Sequence, residues 1–228
     1  MIRSRQKELL KKIVATYIKT AEPVSSSALT GRGLFDVSSA TIRNEMLELA
    51  EAGYVYQPHT SSGRVPTAKG YLFYVENYVL TDEPSPQLTS SIRRQLDKLL
   101  QERSADNLKN LAKILADLSD SLTILAFDED RFFFTGLSYL YSQPEFREQA
   151  AVTSVSAILD HCEQVLPEIF AMIRAEKRIL IGRDNPFGIQ CSFMIAPLGR
   201  GLIGILGPLR MDYQRNFDLI DYIMKHVT

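Results

Sequence analysis

The sequence predicts an α+β protein of two domains, and three observations lead to that prediction. A chain of 228 residues is long enough for two domains that each bury a core. Apolar residues recur at helical spacing over much of it, whereas short β-prone runs joined by Gly and Pro occur in both parts. The clearest break, at 81–86, has two prolines and no apolar residue. We therefore expect domains at 1–80 and 90–228, joined by a linker at 81–89.

Two helices are predicted at the start of the first domain. Glu22-Pro23-Val24 ends the first, which spans about 4–19, and Ser25 or Ser26 can cap a short second helix that ends at 31–33. The apolar face of the first helix consists of Leu9, Leu10, Ile13, Val14, Tyr17 and Ile18.

A third helix begins after Ser38 or Ser39, either of which can accept hydrogen bonds from its free N–H groups, and it runs to about Ala52 before Gly53. Helical spacing predicts an inward face formed by Ile42, Met46, Leu49 and Ala50. The same spacing predicts a solvent-facing polar side formed by Thr41, Arg43, Asn44, Glu45 and Glu48.

A hairpin follows the third helix. The β-prone run 54–56 leads into the polar turn 57–63, and Arg64-Val65 can return as a second strand. Thr67 can then cap a further helix over 68–80. Its packed residues are expected to be Tyr71, Leu72, Val75 and Val79. Three helices and a hairpin in this order predict a winged helix-turn-helix.

The second domain begins with helical patterns from Ser90. Leucines at 108, 111, 115, 118 and 122 alternate by three and four residues, which suits either a helix-helix seam or an ordinary helix lying on a sheet. Two β-prone runs, 122–127 and 131–135, then predict a hairpin.

The rest of the second domain is predicted as helix over 144–176, with a break at Pro167, followed by strands and a final helix over 212–227. The strands are expected near 178–182, 189–196 and 201–207. Such a domain is α+β with a largely antiparallel sheet.

Composition and charge narrow the class of protein. Residues 1–80 contain 10 Lys/Arg and 7 Asp/Glu, whereas residues 81–228 contain 16 Lys/Arg and 20 Asp/Glu. The net charge of −1 therefore conceals a positive excess in the first domain.

No apolar run approaches the roughly 20 residues of a membrane span, and the N-terminus lacks the pattern of a secretory signal. We therefore expect a cytoplasmic protein with no membrane segment. Cys162 and Cys191 lack metal-ligand spacing, which predicts buried thiols and no metal site. We expect no cofactor.

The predicted winged helix has the residue types that DNA reading requires. Arg43 and Asn44 suit purine edges, the hydroxyl groups in this region suit phosphate oxygens, Gly63 allows a tight turn and Arg64 supplies a fixed charge. Alternatively, these side chains only solvate an exposed helix. The predicted DNA-binding residues are Ser39, Thr41, Arg43, Asn44, His59, Thr60, Ser61, Gly63, Arg64 and Thr67.

Several motifs resemble one known family. They are Glu22-Pro23-Val24, the stretch 38–46, the stretch 57–67 with Gly70-Tyr71, and three stretches of the second domain at 142–146, 182–186 and 204–213. Together they resemble the HrcA family of heat-inducible repressors. The resemblance implies a repressor of chaperone genes that binds the inverted-repeat operator CIRCE as a homodimer, with a GAF-like second domain and the chaperonin GroEL as a partner that promotes the DNA-binding form.

Two features depart from the family pattern. Members carry an inserted dimerisation domain in the GAF-like region, and this chain has only the 122–135 hairpin between the leucine-rich helix and the 142–146 motif. We therefore identify it as a short member in which the 108–122 seam or the shortened sheet makes the dimer contact. Leu209 replaces the threonine usual in the last motif, which predicts the loss of one polar contact.

Other functions remain open at this point. An enzyme is not expected, because the sequence has no nucleophile-base pair, metal spacing or phosphate loop, and Arg210, Asp212 and Tyr213 suit a charged turn before a helix. A regulator that senses a metabolite through the GAF-like domain is the main alternative. A winged helix used as a protein-interaction module, without DNA, is the third.

Overall fold

The computed structural model describes residues 2–30, 37–80, 88–101, 104–173 and 176–227. The chain forms two compact units, Met1–Asp82 and Glu83–Thr228. Most of the predicted linker lies outside the described residues, as does the predicted helix end at 31–33. No helix in the described parts of the chain combines the length and the apolar character that a membrane crossing needs.

The first unit contains four α-helices within its described residues. Ser25 caps the second, with its hydroxyl 3.2 Å from the backbone nitrogen of Ala28, and Ser38 caps the third at 3.2 Å from the nitrogen of Thr41. A π-helical turn, Val75–Val79, continues the fourth. The helices are α1 (Ser4–Thr20), α2 (Ser26–Thr30), α3 (Ser39–Glu51) and α4 (Ala68–Tyr74).

The hairpin of the first unit pairs β1 (Val55–Tyr56) with β2 (Val65–Pro66) in antiparallel register. The return strand was expected at Arg64-Val65, but β2 begins one residue later. Arg64 instead forms a backbone bridge with Val24, which lies between α1 and α2. The short segment before α2 therefore joins the hairpin as a third extended element.

The core of the first unit has a buried apolar stripe from each long helix. The residues fully or almost fully buried include Leu9, Leu10, Ile13 and Val14 of α1, Ile42, Met46 and Leu49 of α3, and Tyr71, Val75 and Val79 from 68–79. Two expectations were wrong. Leu72 is 39% exposed, because Tyr71 and Val75, one turn apart, form the inward stripe. Glu45 is only 3% exposed, because it is paired with a residue of α1.

The second unit is built on a five-stranded sheet in which every pairing is antiparallel, in the order β4-β3-β7-β6-β5. This confirms the predicted α+β class and the predicted 122–135 hairpin. The strands are β3 (Leu122–Ala126), β4 (Phe132–Thr135), β5 (Arg178–Ile181), β6 (Cys191–Leu198) and β7 (Gly201–Pro208).

Helices cover both faces of this sheet. Residues that alternate along β3, β6 and β7 form a buried cluster with α7 (Leu137–Ser142), α8 (Gln149–Asp160) and α9 (Cys162–Ile173). The intervening residues face the remaining helices, of which α6 contacts β3 and α10 contacts β6. These helices are α5 (Ser90–Gln101), α6 (Ala105–Ser119) and α10 (Tyr213–Val227).

The leucine-rich segment lies on the sheet of its own unit. Leu111 and Leu115 are fully buried, and Leu122 belongs to β3 rather than to the helix. The alternative of an ordinary helix on a sheet is confirmed, and α6 also packs against α5 of the same unit, so its apolar stripe is buried within that unit. The periodicity alone could not distinguish a helix-helix seam from a helix on a sheet, because either partner buries the same apolar stripe.

The predicted helix break at Pro167 is also wrong. The helix over 149–173 is interrupted at His161, which separates α8 from α9, and Pro167 lies inside α9. Pro167 has no N–H, so the hydrogen bond to the carbonyl of Glu163, four residues earlier, is absent. The helix tolerates that loss within a well-packed unit.

We expect Leu115→Ala to lower the free energy of unfolding of the second unit by about 2–5 kcal/mol, because it leaves a cavity between α6 and the sheet. Urea unfolding of the full chain measures this change. Lys113→Ala, an exposed change on the same helix, is the matched control and should stay within about 0.5 kcal/mol of the parent. Equal effects of the two substitutions would contradict the buried position of α6.

Candidate nucleic-acid interface

A groove of about 470 Å³ opens between α3, the start of α2 and the hairpin loop, which we define as residues 57–64. It brings together three separate stretches of the chain. Its lining residues are Val24, Ser25, Ser26, Ser27, Ser39, Arg43, Met46, Gln57, Thr60, Ser61, Ser62, Gly63 and Arg64. Six of the predicted site residues thus line one groove: Ser39, Arg43, Thr60, Ser61, Gly63 and Arg64.

Hydroxyl groups hold the beginnings of α2 and α3 together. The Oγ atoms of Ser26 and Ser39 lie 3.0 Å apart, and the Oγ of Ser38 lies 3.0 Å from the Oγ1 of Thr41. Ser39 and Thr41 are half-buried. Their hydroxyl groups therefore help to build the leading turn of α3 as well as lining or adjoining the groove.

Arg43 and Asn44 extend from the second turn of α3 and are exposed. Neither side chain has a hydrogen bond or ion pair with the part of the chain that the structure describes. Arg43 lines the groove, whereas Asn44 lies beside it on the helix surface. Both side chains are therefore accessible to a ligand that covers α3.

Side-chain hydrogen bonds shape the hairpin loop. The Nε2 of Gln57 donates to the carbonyl oxygens of Thr60 at 2.8 Å and Ser62 at 3.0 Å. The Oγ of Ser62 donates to the carbonyl of His59 at 2.6 Å and accepts from its backbone nitrogen at 3.0 Å. These bonds stabilise a turn in which the side chains of His59, Thr60 and Ser61 are exposed.

The base of the loop is joined to the segment before α2. The backbone nitrogen of Val24 donates to the carbonyl of Arg64 at 2.9 Å, and the nitrogen of Arg64 donates to the carbonyl of Val24 at 2.8 Å. A Cβ at Gly63 would lie 2.4 Å from the carbonyl carbon of Val24. Glycine is thus required here by a close backbone approach, in addition to the tight turn expected from the sequence.

Arg64 is half-buried, and its Nε is buried with no hydrogen-bond partner among the described residues. No ion pair to its guanidinium occurs among those residues either. An arginine placed in a groove without a carboxylate partner is suited to bind an anion, because its charge is fixed at any physiological pH.

Thr67 lies outside the groove. Its Oγ1 accepts from the nitrogen of Gly70 at 3.1 Å, which caps α4, and donates to the carbonyl of Gly53 at 2.7 Å. The hydroxyl thus stabilises the junction between the hairpin and α4. We assign Thr67 a structural role rather than a ligand contact.

Three further residues of the site were not predicted from the sequence: Gln57, Ser62 and Ser26. The first two shape the loop, and the third joins α2 to α3. A usable signal was present for the loop, because a polar residue before Pro58 and a serine before Gly63 are typical of turns with side-chain-to-backbone bonds. The contact of Ser26 with Ser39 depends on tertiary packing, so no local pattern predicts it.

Residues of α1 hold the opposite side of α3. The Nε of Arg5 donates to the Oε1 of Glu45 at 2.7 Å, and the Nε2 of Gln6 donates to the Oε2 of Glu48 at 2.7 Å. Arg3 also pairs with Glu48. Hydrogen bonding and the charge of Glu45 raise the pKa of Arg5. The carboxylates of Glu45 and Glu48 are therefore compensated on the side away from the groove.

A second groove, of about 480 Å³, adjoins the first and shares Val24 and Ser25 with it. Lys12 and Lys19 of α1 contribute two positive charges to its lining, and Glu22 contributes one negative charge. The positive charge of the first unit thus extends beyond the groove along α1.

The charged residues near the end of β7 are engaged within the second unit. The Nε of Arg210 donates to the Oε1 of Glu145 at 2.7 Å, and its NH2 group donates to the Oε1 of Gln143 at 2.8 Å. Asp212 accepts from the nitrogen of Arg215 at 3.1 Å, which caps α10. The described residues contain no cluster of His, Cys, Asp and Glu that could hold a metal ion. These contacts fit a structural role.

Both thiols and one tyrosine of this unit are fully buried. Burial raises the pKa of Cys162 to about 11 and that of Cys191 to about 12, so both thiols are protonated at neutral pH. Burial also raises the pKa of Tyr213, whose hydroxyl lies 2.6 Å from the Oγ of Ser192. Both cysteines are fully buried, as expected from the sequence.

Comparison with known proteins settles the family. Residues 77–216 match the family model described as the HrcA protein C terminal domain. The chain belongs to the HrcA family. The Arg210 contacts therefore join two of the motifs that resemble this family, because Gln143 and Glu145 lie in the 142–146 stretch and Arg210 lies in the 204–213 stretch.

Two relatives illustrate the extent of the match. The heat-inducible transcription repressor HrcA of Brevibacillus brevis is 26% identical over 336 positions, covering 100% of this chain and 97% of the relative. The repressor of the same name from Caldanaerobacter subterraneus is 41% identical over 125 residues, 53% of this chain and 34% of the relative. Because the first alignment is longer than 228 residues, that relative contains segments that this chain lacks, in agreement with a short member of the family.

A solved structure has a similar fold. The crystal structure of a hypothetical protein superposes with a TM-score of 0.80 at 17% identity, covering 100% of this chain and 98% of the other. At that identity the likeness concerns the fold alone. It supports the α+β architecture described above.

We expect Gly63→Ala to lower the free energy of unfolding of the first unit by about 1–3 kcal/mol, because the added methyl group meets the backbone of Val24. Urea unfolding of the full chain measures the effect. Ser61→Ala, an exposed change in the same loop, is the control and should alter stability by no more than about 0.5 kcal/mol. A Gly63→Ala chain as stable as the control would rule out the close approach.

Proposed function

We propose that this protein is a transcription repressor whose first unit is a winged helix-turn-helix that binds duplex DNA. In this proposal α3 is the recognition helix and the hairpin loop is the wing. The observation that supports it best is the groove that Arg43 and Arg64 share, since neither guanidinium has an ion-pair partner among the described residues. A polyanion such as the DNA backbone supplies the missing negative charge.

The site residues take different roles in this proposal. Arg43 and Asn44 read base edges in the major groove, because both side chains offer directional donors on an exposed helix surface. Hydroxyl and backbone donors, together with Arg64, contact phosphates and set the register. The phosphate-contacting residues are Ser39 and Thr41 of α3 and His59, Thr60, Ser61 and Gly63 of the hairpin loop.

The proposal for the regulated genes rests on the names of the relatives. Its relatives carry the name heat-inducible transcription repressor, and we propose that this chain likewise represses heat-shock genes from an inverted-repeat operator of the CIRCE type. A GroEL-type chaperonin then promotes the DNA-binding form, and stress relieves repression. Such a protein acts in the cytoplasm, where the bacterial operator is accessible.

We propose that the second unit is a shortened GAF-like domain that regulates and dimerises the repressor. An inverted-repeat operator needs two heads related by a two-fold axis. The leucine-rich helix α6 cannot supply the contact, because its apolar side is buried in its own unit. The shortened sheet can supply the dimer contact, because β4 lies at its edge. This strand contains three consecutive phenylalanines that are half-buried.

Metabolite sensing is a weaker alternative. The space between the sheet and α7, α8 and α9 is filled by buried side chains, among them Phe187 and Phe193 with ring centroids 5.0 Å apart. No observation on the described residues favours a ligand there. We therefore propose DNA binding and dimerisation as the functions of the two units.

We expect Arg43→Ala and Asn44→Ala each to weaken binding to a CIRCE-type duplex by about 1–3 kcal/mol with loss of base preference. Arg64→Ala should weaken binding more evenly across sequences and should reduce the slope of log affinity against log salt by about one, because it removes a phosphate contact. Fluorescence anisotropy titrations with operator and scrambled duplexes, at several salt concentrations, measure both effects.

Arg94→Ala is the matched control for these titrations, because Arg94 is an exposed arginine on α5 of the other unit. It should leave affinity and salt slope unchanged. The proposal would be overturned if the affinity of the parent chain depended on neither the DNA sequence nor the salt concentration. It would also be overturned if all three site variants bound the operator with the affinity of the parent.

We expect the parent chain to sediment as a dimer and Phe133→Asp to shift it toward the monomer, because a carboxylate at the edge of β4 opposes pairing with a second copy. Ile189→Asp, which changes a side chain that is 70% exposed elsewhere in the same unit, is the control and should remain dimeric. Sedimentation equilibrium distinguishes the outcomes. A monomeric parent contradicts the dimer, and a dimeric Phe133→Asp contradicts the contact through β4.

A further inference from the structure

Leu47 is an apolar residue on the outer surface of α3. It is 51% exposed, the largest exposure of any leucine among the exposed large hydrophobic residues described. Most other exposed residues of α3 are polar or charged, including Arg43, Asn44 and Glu48. The core of the first unit does not account for this side chain, because Ile42, Met46 and Leu49 form the inward stripe of the helix.

Helical spacing places Leu47 with the two residues proposed to read bases. It follows Arg43 by four positions and Asn44 by three, and side chains at these spacings lie on one face. On one side of this face Met46 lines the groove, and on the other side Glu48 pairs with Arg3 and with Gln6, which belongs to α1. Leu47 therefore lies on the exposed side, one turn after Arg43.

We propose that Leu47 contacts the 5-methyl group of thymine in the major groove and so sets a preference for thymine at one position of each half-site. This inference rests on the proposed DNA-binding function. In the major groove, the methyl group is the only apolar feature that a base pair presents, and the other features are hydrogen-bond donors and acceptors. A leucine side chain can make an apolar contact with the methyl group, but it cannot form hydrogen bonds with the donors and acceptors.

The position of Ala40 agrees with this chemistry. Ala40 is exposed and precedes Asn44 by four positions, so it lies on the same face one turn earlier than Asn44. Small and apolar side chains at both ends of the polar pair allow α3 to approach the base edges closely. Leu47, as the larger of the two, is the residue whose removal should be measurable.

Replacing thymine with deoxyuridine tests the proposal, because it deletes the methyl group and leaves every hydrogen-bonding atom in place. The probe is the CIRCE-type duplex with each thymine replaced in turn, titrated by anisotropy against the full-length parent, Leu47→Ala and Leu72→Ala. Leu72 is the matched control, since it is a 39% exposed leucine on α4 of the same unit.

We expect one thymine in each half-site at which deoxyuridine weakens binding by the parent roughly three- to tenfold, the effect of losing one buried methyl contact. Leu47→Ala should weaken binding to the thymine duplex by a similar factor, and deoxyuridine should cause no further loss in that variant. Leu72→Ala should behave as the parent. Non-additivity of this kind identifies the methyl group as the partner of Leu47.

Two results would overturn the inference while leaving DNA binding intact: no thymine whose methyl group matters to the parent, or a deoxyuridine effect that persists unchanged in Leu47→Ala. A parent chain that fails to bind the operator overturns the proposed function itself, and this inference with it. Thermal unfolding of Leu47→Ala at the parent temperature verifies that the affinity change does not arise from misfolding, because an exposed leucine contributes little to the core.

Discussion

The reciprocal backbone pair between Val24 and Arg64 is the constraint on which the candidate interface depends. It joins the segment before α2 to the base of the hairpin loop through two hydrogen bonds of 2.8 and 2.9 Å. Gly63 makes it possible, because any side chain there would meet the backbone of Val24. These two hydrogen bonds hold the base of the loop beside α2 and α3, and this position lets Arg43 and Arg64 line the same groove.

Electrostatic compensation completes the arrangement of α3. A helix proposed to bind a polyanion contains Glu45 and Glu48 within two turns of Arg43, and these carboxylates would repel phosphate if they were unpaired. Arg5 compensates the first, and Arg3 and Gln6 bind the second. The pairs lie on the α1 side of the helix, so the side that contains Arg43 keeps a positive charge. The second unit has an analogous pairing of Arg210 with Glu145.

Three expectations from the sequence were wrong or incomplete because they depend on contacts with other elements of the fold, which local patterns do not contain. Periodicity predicted α6 correctly but not what it packs against, because a sheet and a second helix bury the same stripe. Pro167 was expected to break the helix, yet packing of Leu166 and Ile169 holds α9 together around it. Glu45 was expected to face solvent, but it is paired with Arg5. The sequence did not predict this pair, because Arg5 lies forty residues earlier and no local pattern relates the two residues.

The sequence by itself determined the elements whose signals are local: the helix start after Ser38, the hairpin after α3, and the antiparallel character of the second unit. These depend on hydrogen bonds and spacings within a few residues. Only the tertiary structure decided which polar residues are accessible. It joined the Thr67 hydroxyl to the carbonyl of Gly53, placed Arg64 in a groove and exposed Leu47, because each outcome depends on which distant segments pack alongside.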